Sequence, residues 1–343
     1  MRLSSALPLF VLLAGACADT SDPASTPPDG AGGKQDSAEP IEDFCNATDP
    51  RAMPVEVAVT PDAGEQPYLD ALTSAQHSID VEIYLMGYGG ILDTLVAKAH
   101  AGVKVRVILD QYKMDTNQKY FTQLAAAGAE VKWSSAEFTY QHSKVLVVDG
   151  TTAVISTGNY SKSYSIELER NHVATDRDPA DLADLVALFE ADWTGQPVQM
   201  PCTRMVISPI NSRTRILDLI NSATQTLTIE SMQFADYKVR EAVKARVQAG
   251  VDVRALIADA GFVSANAAAA DYLKGLGVTV KWIPHLHTKV IVADGARAYL
   301  GSENLSQTSL DKNREVGLIV TDAASIAPLS TSFETDWTAG TAF

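Results

Sequence analysis

Two short segments of the chain carry side chains suited to work on a phosphate ester. His142-Ser143-Lys144 is followed by Asp149 and, ten residues further on, by Asn159. His287-Thr288-Lys289 is followed by Asp294 and, ten residues further on, by Asn304. On an extended strand, residues two apart point to the same side, so each histidine shares a face with its lysine. An imidazole titrates near neutrality, so it can attack when neutral and donate a proton when charged. Two imidazoles flanking one phosphorus would divide those tasks and titrate as a coupled pair. Lys144, Lys289, Asn159 and Asn304 would hold the non-bridging oxygens as charge redistributes in the transition state. This set implies neither a metal cage nor a cofactor, because the lysines fill the role of a cation.

The elements that must position these groups belong to a longer repeat. DALTSAQHSIDVEIYLM and AHAGVKVRVILD in the first half match DLINSATQTLTIESMQF and VQAGVDVRALIAD in the second, at an offset of 148. LAAAGAEVKW matches LKGLGVTVKW, and FEADWT matches FETDWT. Each half reads as a helix (65–77 and 211–223), a strand (78–84 and 226–232) and a second helix (90–101 and 236–249). The second helices close at Gly102 and Gly250, residues suited to a left-handed cap. β-rich runs follow at 103–109 and 251–257, then a helix and a short strand. The strands 144–148 and 289–293 each enter an Asp-Gly turn. Closing helices span 180–193 and 323–337. Strands alternating with helices predict an α/β fold: two duplicated lobes, 46–200 and 201–343, each a mixed sheet flanked by helices, related by a pseudo-twofold around one site.

The doubled H-x-K-x4-D motif with a trailing asparagine resembles the phospholipase D superfamily, and the likeness runs from about residue 46 to the end. The resemblance implies a metal-independent phosphodiesterase in which His142 is the nucleophile and His287 the general acid and base. With both motifs in one chain, a monomer suffices. The resemblance also implies an acidic residue behind each histidine. Asn313-Arg314-Glu315 assigns Glu315 to His287, while Glu169-Arg170-Asn171 leaves His142 with Asn171 or with Glu169. Thr157 and Ser302 are expected as hydroxyls of the phosphate loops, in Ser156-Thr-Gly-Asn159 and Gly301-Ser-Glu-Asn304. Asp149 and Asp294 are read as turn residues rather than substrate contacts. Trp193 and Trp337 are expected to pack in the core. His285 is read as a loop or supporting residue, and Tyr112, Tyr120, Tyr140 and Phe262 as loop residues bordering the cleft without an assigned role.

The first 18 residues, Met1-Arg2 followed by an apolar stretch and Ala14-Gly-Ala-Cys17, read as an export signal with a lipobox-like site at Cys17, or with plain cleavage. Residues 19–45 form a Pro-, Gly-, Ser- and Asp-rich linker that cannot bury enough surface to order itself. Export would permit Cys45 and Cys202 to pair. The expected location is therefore the cell envelope, as a lipoprotein, or the exterior. With a formal charge of −15, the chain repels polyanions at long range, which disfavours nucleic acid as partner. The expected partner is a phospholipid at a membrane surface. Hydrolysis of the headgroup ester to phosphatidate is the leading reading; a nuclease, a phosphatidyltransferase of the cardiolipin synthase kind, and a non-catalytic anion-binding module are the alternatives.

Overall fold

The computed structural model describes residues 45–200 and 202–343. The leader, the linker and Cys17 lie outside the described residues. The first repeat runs β1 (Glu56–Thr60), α1 (Gln66–Ser74), β2 (Ser78–Ile83), α2 (Gly90–His100), β3 (Lys104–Leu109), α3 (Met114–Ala126), β4 (Glu130–Trp133), β5 (Lys144–Val148), β6 (Thr152–Ser156), β7 (Asn171–Asp176) and α4 (Pro179–Thr194). The second runs β8 (Met205–Ser208), α5 (Ser212–Asn221), β9 (Thr226–Ser231), α6 (Tyr237–Gln248), β10 (Asp252–Ile257), α7 (Ala265–Gly275), β11 (Thr279–Trp282), β12 (Lys289–Ala293), β13 (Arg297–Gly301), α8 (Gln307–Asp311), β14 (Glu315–Val320), α9 (Ala323–Ala339) and β15 (Thr341–Ala342). Tyr120 therefore sits within α3, not on a loop as expected.

The two sheets have the same order. It is β1-β7-β6-β5-β2-β3-β4 in the first and β8-β14-β13-β12-β9-β10-β11 in the second, where β15 extends the edge. In each, three strands run parallel (β2-β3-β4 and β9-β10-β11) and the rest pair antiparallel. The protein is thus a duplicated α/β body with two mixed sheets. The edge strands β1 and β8 went unread in the sequence, as did β6, β7, β13 and β14 beside them, although Val55-Glu-Val-Ala-Val-Thr60 carries period-2 alternation.

The central strands are apolar on both faces, as strands covered on both sides must be. Along β5, Val145 and Val147 face one core while Leu146 and Val148 face another. Along β12, Val290 and Val292 share the first of these cores, and Ile291 and Ala293 turn away from it. That shared core also takes Leu182, Leu185 and Leu188 of α4 and Leu329 of α9. Each such side chain, fully buried, contributes roughly 1.5–3 kcal/mol. The lobes are therefore joined by a true hydrophobic core, not by a rim contact. Cys45 and Cys202 form a disulfide where the repeats join, with Cα atoms 5.0 Å apart.

Trp193 and Trp337 are half-buried rather than central. Each stacks on the phenylalanine one turn earlier, at 5.7 and 5.6 Å, beneath Arg106 or Arg254.

Candidate active site at the seam of the two repeats

The segment entering β5 is laced to the other repeat. His142 N donates to Arg314 O at 2.8 Å, and Arg314 N donates to Tyr140 O at 2.9 Å. The pseudo-twofold copy does the same: His287 N donates to Arg170 O at 3.1 Å and Arg170 N to His285 O at 2.9 Å. His285, in a left-handed conformation with φ of 57°, thus serves by its backbone. Two arginine clamps hold these crossings. Arg314 grips Asp192 of α4 through Nε (2.8 Å) and Nη2 (2.9 Å), and Arg170 grips Asp336 of α9 at 2.8 and 3.0 Å. Such forked pairs fix direction as well as distance. The aspartates are those of the shared Asp-Trp signature, which the sequence marked as a repeat but not as part of the site.

This lacing exchanges the partners of the histidines, and the expected pairing is corrected. Glu315 orients His142, not His287: His142 Nδ1 donates to Glu315 Oε2 at 2.7 Å. Asn171 lies against His287, with Oδ1 at 2.9 Å from its Nδ1, and Glu169 Oε2 stands 3.7 Å from the same nitrogen. The reason is geometric. Glu315 and Asn171 open β14 and β7 directly after the arginines whose carbonyls receive the opposite histidine. Each first strand residue is therefore delivered across the seam.

Hydrogen bonds orient both rings. Asn171 Nδ2 donates to Ser165 O at 2.9 Å, so the amide offers its oxygen to His287, and Thr157 Oγ1 donates to that oxygen as well. With its proton on Nδ1 toward Asn171, His287 keeps the lone pair on Nε2, a buried atom without a partner among the described residues; Lys289 Nζ also stands 3.1 Å from Nδ1, where an ammonium would call for the opposite tautomer. Glu315 Oε1 accepts from Asn313 Nδ2 at 2.9 Å and from Ser309 Oγ, which leaves Oε2 for His142.

Burial dominates the charges. It lowers His142 to about 4, against the pull of Glu315, with Lys144 adding to the drop. Burial also lowers His287 well below its ordinary value, helped by Lys289 and Lys144. Both imidazoles are neutral near pH 7, which is the state a nucleophile needs. Burial opposes ionisation of Glu315, but the adjoining His142 keeps its carboxyl below the usual range. Glu169 behaves oppositely: burial raises it, only partly countered by Lys289. The two histidines are thus backed by unlike groups, a carboxylate behind one and an amide behind the other.

Lys144 donates to His142 O. Lys289 donates to His287 O at 2.6 Å and to Thr157 O, in the other repeat, at 3.0 Å. Asn159 and Asn304 are buried beside the lysines' strands. Thr157 and Ser302 tie their loops to the neighbouring strands. Both are fully buried, and their hydroxyls accept the backbone N–H of His172 (2.9 Å) and Val316 (3.0 Å). They latch each loop to β7 or β14, and Thr157 gives its own proton to Asn171 Oδ1. The displaced glycine of the first loop has a cause here: a Cβ on Gly158 would stand 2.6 Å from Asn171 Cγ. Asp149 and Asp294 lie outside the site, with φ of 51° and 55°. Asp149 accepts from the backbone of Gln76, His77 and Ser78, and Asp294 from Thr224, Gln225 and Thr226. Sequence reasoning missed Tyr84, whose ring meets that of His142 at 4.6 Å. Its place, directly after a strand whose last residue pairs with Lys144, was the available signal.

Two neutral imidazoles with lysine and asparagine beside each, brought to one seam of a duplicated α/β body, define an enzyme class that acts on phosphodiesters. The chain belongs to the phospholipase D superfamily. The family model described as "Cardiolipin synthase, PLD-like domain" matches residues 68–193 and 216–337. The chain is 26% identical over 330 residues to a probable cardiolipin synthase of Bacillus subtilis, covering 80% of this chain and 64% of that protein. It is 28% identical over 285 residues to cardiolipin synthase A of Pseudomonas putida, covering 71% and 59%. The chain thus spans less than two thirds of the length of these relatives. In fold it is similar to the phosphatidylserine synthase of Haemophilus influenzae, with a TM-score of 0.68, 13% identity and coverage of 84% and 87%.

The relatives correct the expected location: they are named as cardiolipin synthases, not as secreted proteins or lipoproteins, and the reading as an exported envelope lipoprotein or secreted protein is withdrawn. Among the described residues, no helix is long and apolar enough to cross a membrane.

Proposed function

We propose that the chain is a phosphatidyltransferase, moving a phosphatidyl group from one phospholipid headgroup to the hydroxyl of another, as a cardiolipin synthase does. The unequal backing of the two histidines carries the assignment of their roles in that transfer. His142, with the Glu315 carboxylate on Nδ1, is the nucleophile: its Nε2 forms the bond to phosphorus, and Glu315 balances the positive ring that results. The headgroup oxygen leaves as the P–O bond breaks and takes its proton from Nε2 of His287. That proton is present only in enzyme with substrate bound, because the anionic phosphate offsets the burial that otherwise keeps His287 neutral. An acceptor hydroxyl then gives its proton to His287 Nε2 and displaces His142 from phosphorus. Lys144, Lys289, Asn159 and Asn304 hold the non-bridging oxygens throughout.

The relatives' names favour transfer over the hydrolysis first expected, and the acidic net charge weighs against a nucleic-acid substrate. Purified protein incubated with phosphatidylglycerol vesicles should yield cardiolipin and glycerol by mass spectrometry, with EDTA present or absent. Phosphatidate as the sole lipid product would restore hydrolysis as the activity.

A further inference from the structure

The repeats agree in their histidines, lysines and asparagines but differ in what surrounds them. Tyr84 meets His142 edge-on at 4.6 Å and Tyr140 at 5.7 Å, and Tyr140 meets Tyr112 at 5.9 Å. A line of rings therefore leads from His142 outward to Tyr112, which is 57% exposed. In the second repeat Met232 and His285 hold the places of Tyr84 and Tyr140, and the loop 258–264 contains no lysine or arginine. The line exists on one side only.

Converging aromatic faces are the usual seat of a quaternary ammonium. Here the protein's own Lys113 occupies that seat, with Nζ 5.5 Å from the Tyr84 ring and 5.9 Å from the Tyr140 ring. Lys144 Nζ approaches the Tyr84 ring at 5.2 Å, so this ring has an ammonium group at each of two approaches. The loop is tied to the catalytic strand, because Gln141 N, next to His142, donates to Asp110 Oδ2 at 2.7 Å. A choline headgroup would have to displace Lys113 and would meet like charge. An anion would meet an ammonium already held in place by the rings.

We propose that Lys113, framed by Tyr84 and Tyr140, is a subsite for a second phosphate beside the scissile one, selecting phosphate-bearing glycerol headgroups against choline. The proposal rests on the phosphatidyltransferase reading and deepens it, since cardiolipin holds two phosphates joined by one glycerol.

Calorimetric titration of the full chain with glycerol bisphosphate and with phosphocholine tests it. The wild type should bind the bisphosphate more tightly. Lys113→Met should weaken bisphosphate binding roughly tenfold, the usual loss for one charge-assisted contact, and strengthen phosphocholine binding. Lys113→Arg should keep the wild-type preference, and Lys119→Met, beyond the line of rings, should leave both affinities unchanged. Unaltered bisphosphate affinity in Lys113→Met, or an equal loss in Lys119→Met, would overturn the subsite. The titration needs no turnover. A chain that makes no cardiolipin yet shows this pattern would lose the transferase reading alone, and a competent transferase without the pattern would lose the subsite alone.

Discussion

Glu315 Oε2 lies 2.7 Å from His142 Nδ1, although the two residues stand 173 positions apart and come from opposite repeats. Neither repeat completes this histidine–carboxylate pair alone. The carboxylate that accepts from the ring of one half is supplied by the first residue of a strand in the other.

Replacing Glu315 by Gln therefore removes the countercharge while retaining the shape. Turnover should fall by about 10²–10⁴, the usual worth of a positioned acid–base group. In rapid-quench experiments the loss should appear in the rate at which phosphoenzyme forms. An unchanged first step would mean that Glu315 is merely structural.

The two histidines should part company under intact-mass analysis. His142→Asn should show no covalent phosphatidyl adduct. His287→Asn, which keeps the nucleophile but lacks the group that activates the acceptor, should accumulate one. Adduct in the first variant alone would reverse the roles.

The Asp192–Arg314 clamp acts at a distance from phosphorus, through the Arg314 carbonyl that holds His142 N and through Glu315 next in sequence. Removing one partner of a buried pair costs about 3–5 kcal/mol, so Asp192→Ala should lower the thermal midpoint. Its kcat should drop more than its KM changes, since the clamp positions the nucleophile without touching substrate. Asp336→Ala should act in the same way on the His287 side. A variant destabilised but with unaltered kcat would confine the clamp to folding.

Glu82, buried beneath the same clamp, gives a pH signature. Burial, and then the neighbouring Asp192 carboxylate, raise it from 4.5 to about 8. Between those values the folded protein keeps a proton that the unfolded chain releases, so this group's contribution to stability is full below 4.5 and is lost as pH rises through 8. Glu82→Gln, which retains a hydrogen-bonding side chain toward Gln141 and Ser143, abolishes that titration. The thermal midpoint of the variant relative to wild type should rise steadily from pH 5 to pH 8. A flat difference would show that Glu82 is ionised in the folded state.

The sequence alone determined the duplication, the long helices, the strands β2 to β5 and β9 to β12, and the doubled His, Lys and Asn set, because these depend on local periodicity and on two motifs in register. It also marked Asp149 and Asp294 for their turns, where an Asp-Gly pair suits positive φ. What remained hidden was set by the seam. Alignment of the repeats paired Glu315 with the histidine of its own half, since local spacing records neighbours along the chain and not across an interface. Only the packed core of β5, β6, β12 and β13 brings Arg314 against His142 and Arg170 against His287, and so exchanges their partners. The same packing turned the hydroxyls of Thr157 and Ser302 inward to β7 and β14, where a buried backbone N–H must find an acceptor. It also assembled Tyr84, Tyr140, Tyr112 and Lys113 from three separate stretches of chain. Side chains that meet only through tertiary packing leave no spacing in the sequence by which to find them.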